Sequence, residues 1–70
     1  MFYFFSRGSS FLRCEIRPTE TNDGYQVVVA EPGSAEQVTS FPSSEQAHQH
    51  WLRVQEQLHA RGWWGPHGRD

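Results

Sequence analysis

One stretch of this chain has the periodicity of an amphipathic helix, and its apolar side needs a partner. Four apolar residues recur there at spacings of four, three and four: Ala47, Trp51, Val54 and Leu58. This spacing places them on one stripe of a helix, with polar side chains around the remainder. Because a lone helix cannot bury its own stripe, the rest of the chain must supply a second layer. Trp51, in the middle of the stripe, is predicted to be the central core residue.

Both ends of this helix carry capping signals. Ser43, followed three residues later by Gln46, fits a capping box, in which side chains satisfy free backbone N–H groups of the first turn. Gly62 stands where a left-handed residue commonly ends a helix, and Arg61 suits the negative end of the helix dipole. The sequence therefore predicts a helix of about residues 44–61.

The segment before the helix shows the alternation typical of half-buried strands. Leu12, Cys14 and Ile16 share one face of a predicted strand at about residues 11–17, with charged side chains on the other face. The remaining strands are predicted at about 2–6, 25–31 and 36–41. Short turns join these strands, so consecutive strands are expected to be antiparallel neighbours.

These elements predict a single small α+β domain over residues 1–70. Its sheet is an antiparallel three- or four-stranded β-meander, and one C-terminal α-helix packs on one face of it, in the order β-β-β-β-α. Residues 62–70 are expected to form a tail. A helix on one side leaves the other side of the sheet open.

Aromatic residues cluster near both ends of the chain, and they cannot all enter one core. Neighbouring side chains in an extended segment point to opposite sides, so we expect one of Trp63 and Trp64 to pack on the core. The other is expected at a sheet edge or an intermolecular contact. Large exposed apolar patches are rare on soluble monomers, which favours a homodimer or another protein partner. The candidate interface residues are Phe2, Tyr3, Phe4, Phe5, Trp63 and Trp64.

A second hypothesis is a nucleic-acid-binding module that uses Arg7, Arg13 and Arg17 together with aromatic rings on the open sheet face. The net charge of −2 argues against it, because nucleic-acid affinity comes mainly from neutralising phosphates. Glu15 also lies between two of these arginines. Cross-strand ion pairs with residues of the range 26–31, or with neighbours at Glu36, would account for the arginines without any ligand.

No motif for catalysis, a metal or a cofactor is present. On a helix, His48 and His50 lie about 200° apart and cannot share a metal ion. Cys14 falls in phase with the apolar face, which predicts a buried and unreactive thiol. We therefore expect a protein that is not an enzyme, with no cofactor, no metal and no small-molecule substrate.

The location of the protein is predicted from its cysteine content and its first residues. Cys14 is the single cysteine, so an internal disulfide is excluded, and a lone thiol is typical of a reducing cytoplasm. The apolar start at residues 2–5 is too short for a signal-peptide core or a membrane span. The sequence thus predicts a cytoplasmic interaction protein that does not enter a membrane.

Overall fold

The computed structural model describes residues 1–69, which form one antiparallel sheet with a helix packed on it. The elements are β1 (Phe2–Arg7), β2 (Ser10–Pro18), β3 (Tyr25–Ala30), β4 (Gln37–Phe41), α1 (Ser44–Ala60) and β5 (Trp64–Arg69). The predicted α+β class is confirmed. Asp70, the last residue of the predicted tail, lies outside the described residues.

The strands lie in the order β4-β3-β2-β1-β5, and every adjacent pair is antiparallel. Strands β1 to β4 form the predicted meander, each beside the previous one. After β4, helix α1 carries the chain across one face of the sheet to the opposite edge. There β5 pairs with β1 and forms the last strand of the sheet.

Strand β5 was not predicted, because Gly65 and Pro66 look like signals that end regular structure. The strand nevertheless pairs with β1, with a register shift between Phe4 and Ser6. Proline has no N–H to donate, and β5 is an edge strand in the described sheet, where one side of the backbone needs no partner. An edge position therefore tolerates Pro66 where a central strand would not.

The start of helix α1 follows the sequence signals. Ser43 is extended, and its Oγ accepts a hydrogen bond from the Gln46 backbone N–H at 3.2 Å. The predicted stripe is confirmed, since its four apolar residues are the buried residues of the helix. The serine cap satisfies one of the N–H groups that the first turn leaves without a helical partner.

The end of helix α1 is a Schellman motif, which also directs the chain into β5. Gly62 has a φ of +89°, in the left-handed region that favours glycine. The N–H of Gly62 donates to the His59 carbonyl and that of Trp63 to the Leu58 carbonyl, both at 3.0 Å. Trp63 and Leu58 belong to the same buried cluster, which is the apolar contact that commonly accompanies this motif.

The core lies between α1 and one face of the sheet, with Trp51 at its centre. The Trp51 ring stacks on Tyr3 with 4.9 Å between ring centres, and it meets the edge of Phe5 at 6.0 Å. Leu12 and Cys14 of β2 are also buried in this cluster. The prediction for Trp51 is confirmed, because the helical stripe faces the sheet.

Candidate interaction surface

The sheet face away from α1, called the open face below, carries a group of aromatic rings. We define the aromatic patch as Phe2, Phe4, Phe11 and Trp64. Phe11 is 66% exposed and Phe2 36%, whereas Phe4 is half-buried between its neighbours. Trp64, on the edge strand opposite Ser6, is 75% exposed. Exposed rings in this number are unusual for a surface that meets only water.

Strand pairing brings three of these rings, Phe2, Phe4 and Phe11, into one shallow groove. Phe4 of β1 lies opposite Arg13 on one side and opposite His67 on the other. Phe2 and Phe11 complete the lining. The groove therefore combines an apolar floor with two nitrogen-bearing side chains, a composition that suits a contact with protein or with stacked rings.

The charged residues of the open face are paired within the chain. Arg13 contacts the Glu36 carboxylate at 3.0 Å, and Arg17 Nε donates to Gln26 Oε1 at 3.0 Å. Arg17 also contacts Glu15 at 3.3 Å. Glu36 and Gln26 are among the cross-strand partners expected from the sequence, whereas Glu15 lies on β2 itself. The described contacts thus account for both arginines without a ligand.

Arg7, the third arginine of the nucleic-acid hypothesis, lies on the other side of the sheet. Its guanidinium carbon lies 4.4 Å from the centre of the Trp63 ring, and its NH1 group donates to the Arg61 carbonyl at 2.8 Å. Arg7 follows Phe5 with the strand period of two, so it faces the helix. The grouping of Arg7 with Arg13 and Arg17 is therefore corrected.

The six predicted interface residues divide between the two faces. Phe5 and Trp63 are buried in the core, and Tyr3 is half-buried against Trp51. Their contacts are within the chain, which leaves only three candidates for an interface: Phe2, Phe4 and Trp64. Phe11 was missed, although its alternation with Leu12 places it on the open face.

The adjacent tryptophans have opposite environments, as the sequence predicts. Trp63 is 3% exposed, packed in the core beside the helix end, whereas the Trp64 ring projects into solvent. The Nε1 group of Trp63 is buried and has no hydrogen-bond partner among the described residues. Trp63 is therefore the buried tryptophan, and the Trp64 ring is accessible to a partner.

Val28 lies near the middle of the sheet, on the side away from the helix. This residue is fully buried although it points away from the helix, and its cross-strand neighbours are Glu15 and Val38. Val38 itself is exposed. The apolar surface that this part of the open face exposes therefore comes from Val38, while Val28 is covered by its own chain.

The titratable side chains of the described region are in structural positions. Burial raises the pKa of the Cys14 thiol to about 12, which confirms the buried thiol expected from the sequence. His59 Nε2 lies 2.7 Å from the Gly65 carbonyl oxygen, and the His50 ring packs near Phe41. Within residues 1–69, no cluster of three His, Cys, Asp or Glu side chains could hold a metal ion.

Helix α1 lacks the length and apolar character needed to cross a bilayer, and it is the only helix in the described part of the chain.

Comparison of the chain with protein families, with curated proteins and with solved structures found no match. The exposed rings of the open face are therefore the feature from which function can be argued.

Proposed function

We propose that this chain is a non-catalytic protein-interaction module and that the open face is its contact surface. The observation that carries the proposal is the exposure of Phe2, Phe11 and Trp64 on the side of the sheet that no element covers. Exposed rings contribute little to the stability of the chain itself, and aromatic side chains are enriched in protein interfaces.

The contrast between neighbouring residues of β2 supports this proposal. Leu12 is buried beneath the helix, whereas Phe11 turns the larger side chain of the two outward. A ring that is 66% exposed leaves much of its apolar surface in water, and a contact that covers it would recover that free energy. The cytoplasmic location expected from the lone thiol fits the same proposal.

Binding of single-stranded nucleic acid is the second candidate, and the groove lined by Phe2, Phe4 and Phe11 favours it. Bases can stack on exposed rings, and Arg13 lies at the same groove. Against this candidate, Arg13 already pairs with Glu36, and the chain has a net charge of −2. We therefore give preference to a protein contact.

A matched pair of alanine variants tests whether the exposed rings stabilise the folded chain or are free to contact a partner. Unfolding by urea is measured at dilutions where every variant is monomeric. Phe11→Ala should change the free energy of unfolding by less than about 0.5 kcal/mol, the usual range for surface positions. Leu12→Ala should cost about 2–5 kcal/mol. Equal losses in both variants would show that Phe11 belongs to the fold's own packing, and the proposed function would then fail.

A further inference from the structure

We infer that the open face packs against the open face of a second copy of this chain, about a two-fold axis that crosses the strands. The axis lies level with Cys14, between the rows that contain Arg13 and Glu15. This inference rests on the proposed function and names the partner of the same surface. It follows from the order of charged and apolar side chains on the open face.

Strand β2, in the middle of the sheet, supplies the first argument. Its side chains on the open face run, in order, Phe11, Arg13, Glu15 and Arg17. An axis between Arg13 and Glu15 reverses this order in the second copy. Each Arg13 then lies over Glu15 of the second copy, and each Phe11 lies over Arg17 of the second copy. Both are attractive pairs, one ionic and one between a cation and a ring.

The neighbouring strands supply the second argument. Strand pairing places Phe2 and Val28 in the same row as Glu15, and it places Phe4 and Ala30 in the same row as Arg13. The axis exchanges these two rows between the copies. Phe2 therefore lies over Phe4 of the second copy, while Val28, which its own chain already covers, adds no contact. Aromatic rings therefore meet on the β1 side of the central ion pairs.

Two other positions of the axis bring like charges together. An axis level with Glu15 places Glu15 over its own copy and Arg13 over Arg17. An axis parallel to the strands along β2 places each charged residue over itself. Like charges in a contact cost several kcal/mol and exclude such arrangements. Axes level with Leu12 or Ile16 avoid like charges but bring only one kind of attractive pair, Phe11 over Arg13 or Glu15 over Arg17. The level between Arg13 and Glu15 is favoured because it brings an ion pair and a cation–ring pair together.

The existing ion pair of Arg13 is compatible with this arrangement. Its contact with Glu36 joins two side chains that are each more than two-fifths exposed, at 44% and 43%. Such a surface pair is weak, and a guanidinium has five N–H donors in a fixed fork. Arg13 can therefore hold Glu36 within its own chain and also contact Glu15 of the second copy, a side chain that is 15% exposed and keeps its own pair with Arg17.

The open face has an area at the lower limit for a specific dimer. Five strands spaced by about 4.8 Å, with lengths of roughly 20 Å, give a face of about 500 Å². Two such faces, treated as flat, bury about 1,000 Å², and the side chains that project from them add to this area. Specific interfaces begin near this value. We therefore expect a reversible dimer that forms with increasing concentration.

A charge exchange tests the inference, with the association constant measured by sedimentation equilibrium. Arg13→Glu places two acids in contact and Glu15→Arg places two arginines in contact, so each single variant should associate at least about tenfold more weakly. The variant with both changes restores opposite charges, and its association constant should be within about threefold of that of the unmodified chain. Arg53→Glu, on the exposed side of α1, is the matched control and should leave association unchanged.

A second variant keeps the test valid if a charge exchange disturbs folding. Phe11→Arg removes a largely exposed ring and places an arginine over Arg17 of the second copy. It should keep the melting temperature of the monomer and weaken association by at least about tenfold. Leu52→Arg, at an exposed position of α1, is the control and should leave both the melting temperature and the association constant unchanged.

Three outcomes would overturn the inference. The first is an unchanged protein that stays monomeric at all concentrations. The second is a doubly exchanged variant that associates as weakly as the single variants. The third is a monomer that binds labelled single-stranded oligothymidine in low salt and loses that binding in Arg13→Glu. If the chain is monomeric while Phe11→Ala leaves stability unchanged, the inference fails and the proposed function stands.

Discussion

The guanidinium carbon of Arg7 lies 4.4 Å from the centre of the Trp63 ring, at the point where β1, the end of α1 and the start of β5 meet. The same side chain donates a hydrogen bond to the Arg61 carbonyl, which lies just beyond the helix. One arginine therefore covers the buried indole and satisfies a carbonyl group at the helix end.

Replacement of Arg7 by alanine is expected to lower the free energy of unfolding by about 1–2 kcal/mol. The estimate combines a cation–π contact with one charge-assisted hydrogen bond at a partly exposed site. Urea denaturation measures it, with Arg53→Ala as the control because Arg53 lies on the exposed side of α1. An equal effect of the two substitutions would contradict the role given to Arg7.

Substitution of the two adjacent tryptophans should give opposite results. Trp63→Ala removes a side chain of the buried cluster and should cost about 3–5 kcal/mol in unfolding free energy. Trp64→Ala removes an exposed ring and should cost less than about 0.5 kcal/mol in the monomer. Thermal or urea unfolding of both variants decides the matter. A larger loss for Trp64 would reverse the assignment of the two rings.

The Cys14 thiol should react slowly in the folded protein. Burial raises its pKa to about 12, and the thiolate is the reactive form. A thiol reagent at neutral pH should label the folded chain slowly and the chain in denaturant rapidly. Similar rates in the two conditions would place Cys14 on the open face and contradict the register of β2.

The same pKa shift predicts a loss of stability in alkali. The unfolded thiol ionises near its ordinary pKa of about 8.5, while the folded thiol stays neutral up to about 12. Its contribution to stability is therefore complete below pH of about 8.5 and declines as the pH rises toward 12. Urea unfolding across this range should show a steeper decline for the native chain than for Cys14→Ala. Equal slopes would mean that the thiol is accessible in the folded state.

Gly65 is required by a close approach of two strands. A Cβ at this position would lie 2.8 Å from the Phe4 carbonyl oxygen and 2.9 Å from Phe5 Cδ2. Gly65→Ala should therefore destabilise the chain by about 2 kcal/mol or more, through backbone conformation and overlap together. Gly33→Ala is the control, since Gly33 also has a positive φ but open space around it. Thermal unfolding should show the larger loss for Gly65.

Most of the fold follows from local patterns in the sequence. The alternation in β2 places Cys14 in the core, and the stripe around Trp51 identifies the buried side of the helix. Signals at Ser43 and Gly62 locate its ends within a residue or two. These features are predictable because each depends on neighbours along the chain.

The features that the sequence analysis missed depend on contacts between distant segments. Pro66 ends regular structure in most contexts, and only the edge position of β5 makes a strand possible there. Arg7 was grouped with the arginines of β2, although the period of two after Phe5 already places it toward the helix. Its contact with Trp63 depends on the turn after the helix, which no local pattern specifies.

The central claim is that the open face serves as a contact for a second copy, and the molar mass of the unmodified chain tests it most directly. Sedimentation equilibrium over increasing concentration should give a mass that rises from 8.1 kDa toward twice that value. The Phe11→Arg variant should remain near the monomer mass at the same concentrations. A mass of 8.1 kDa at every concentration of the unmodified chain would contradict the claim.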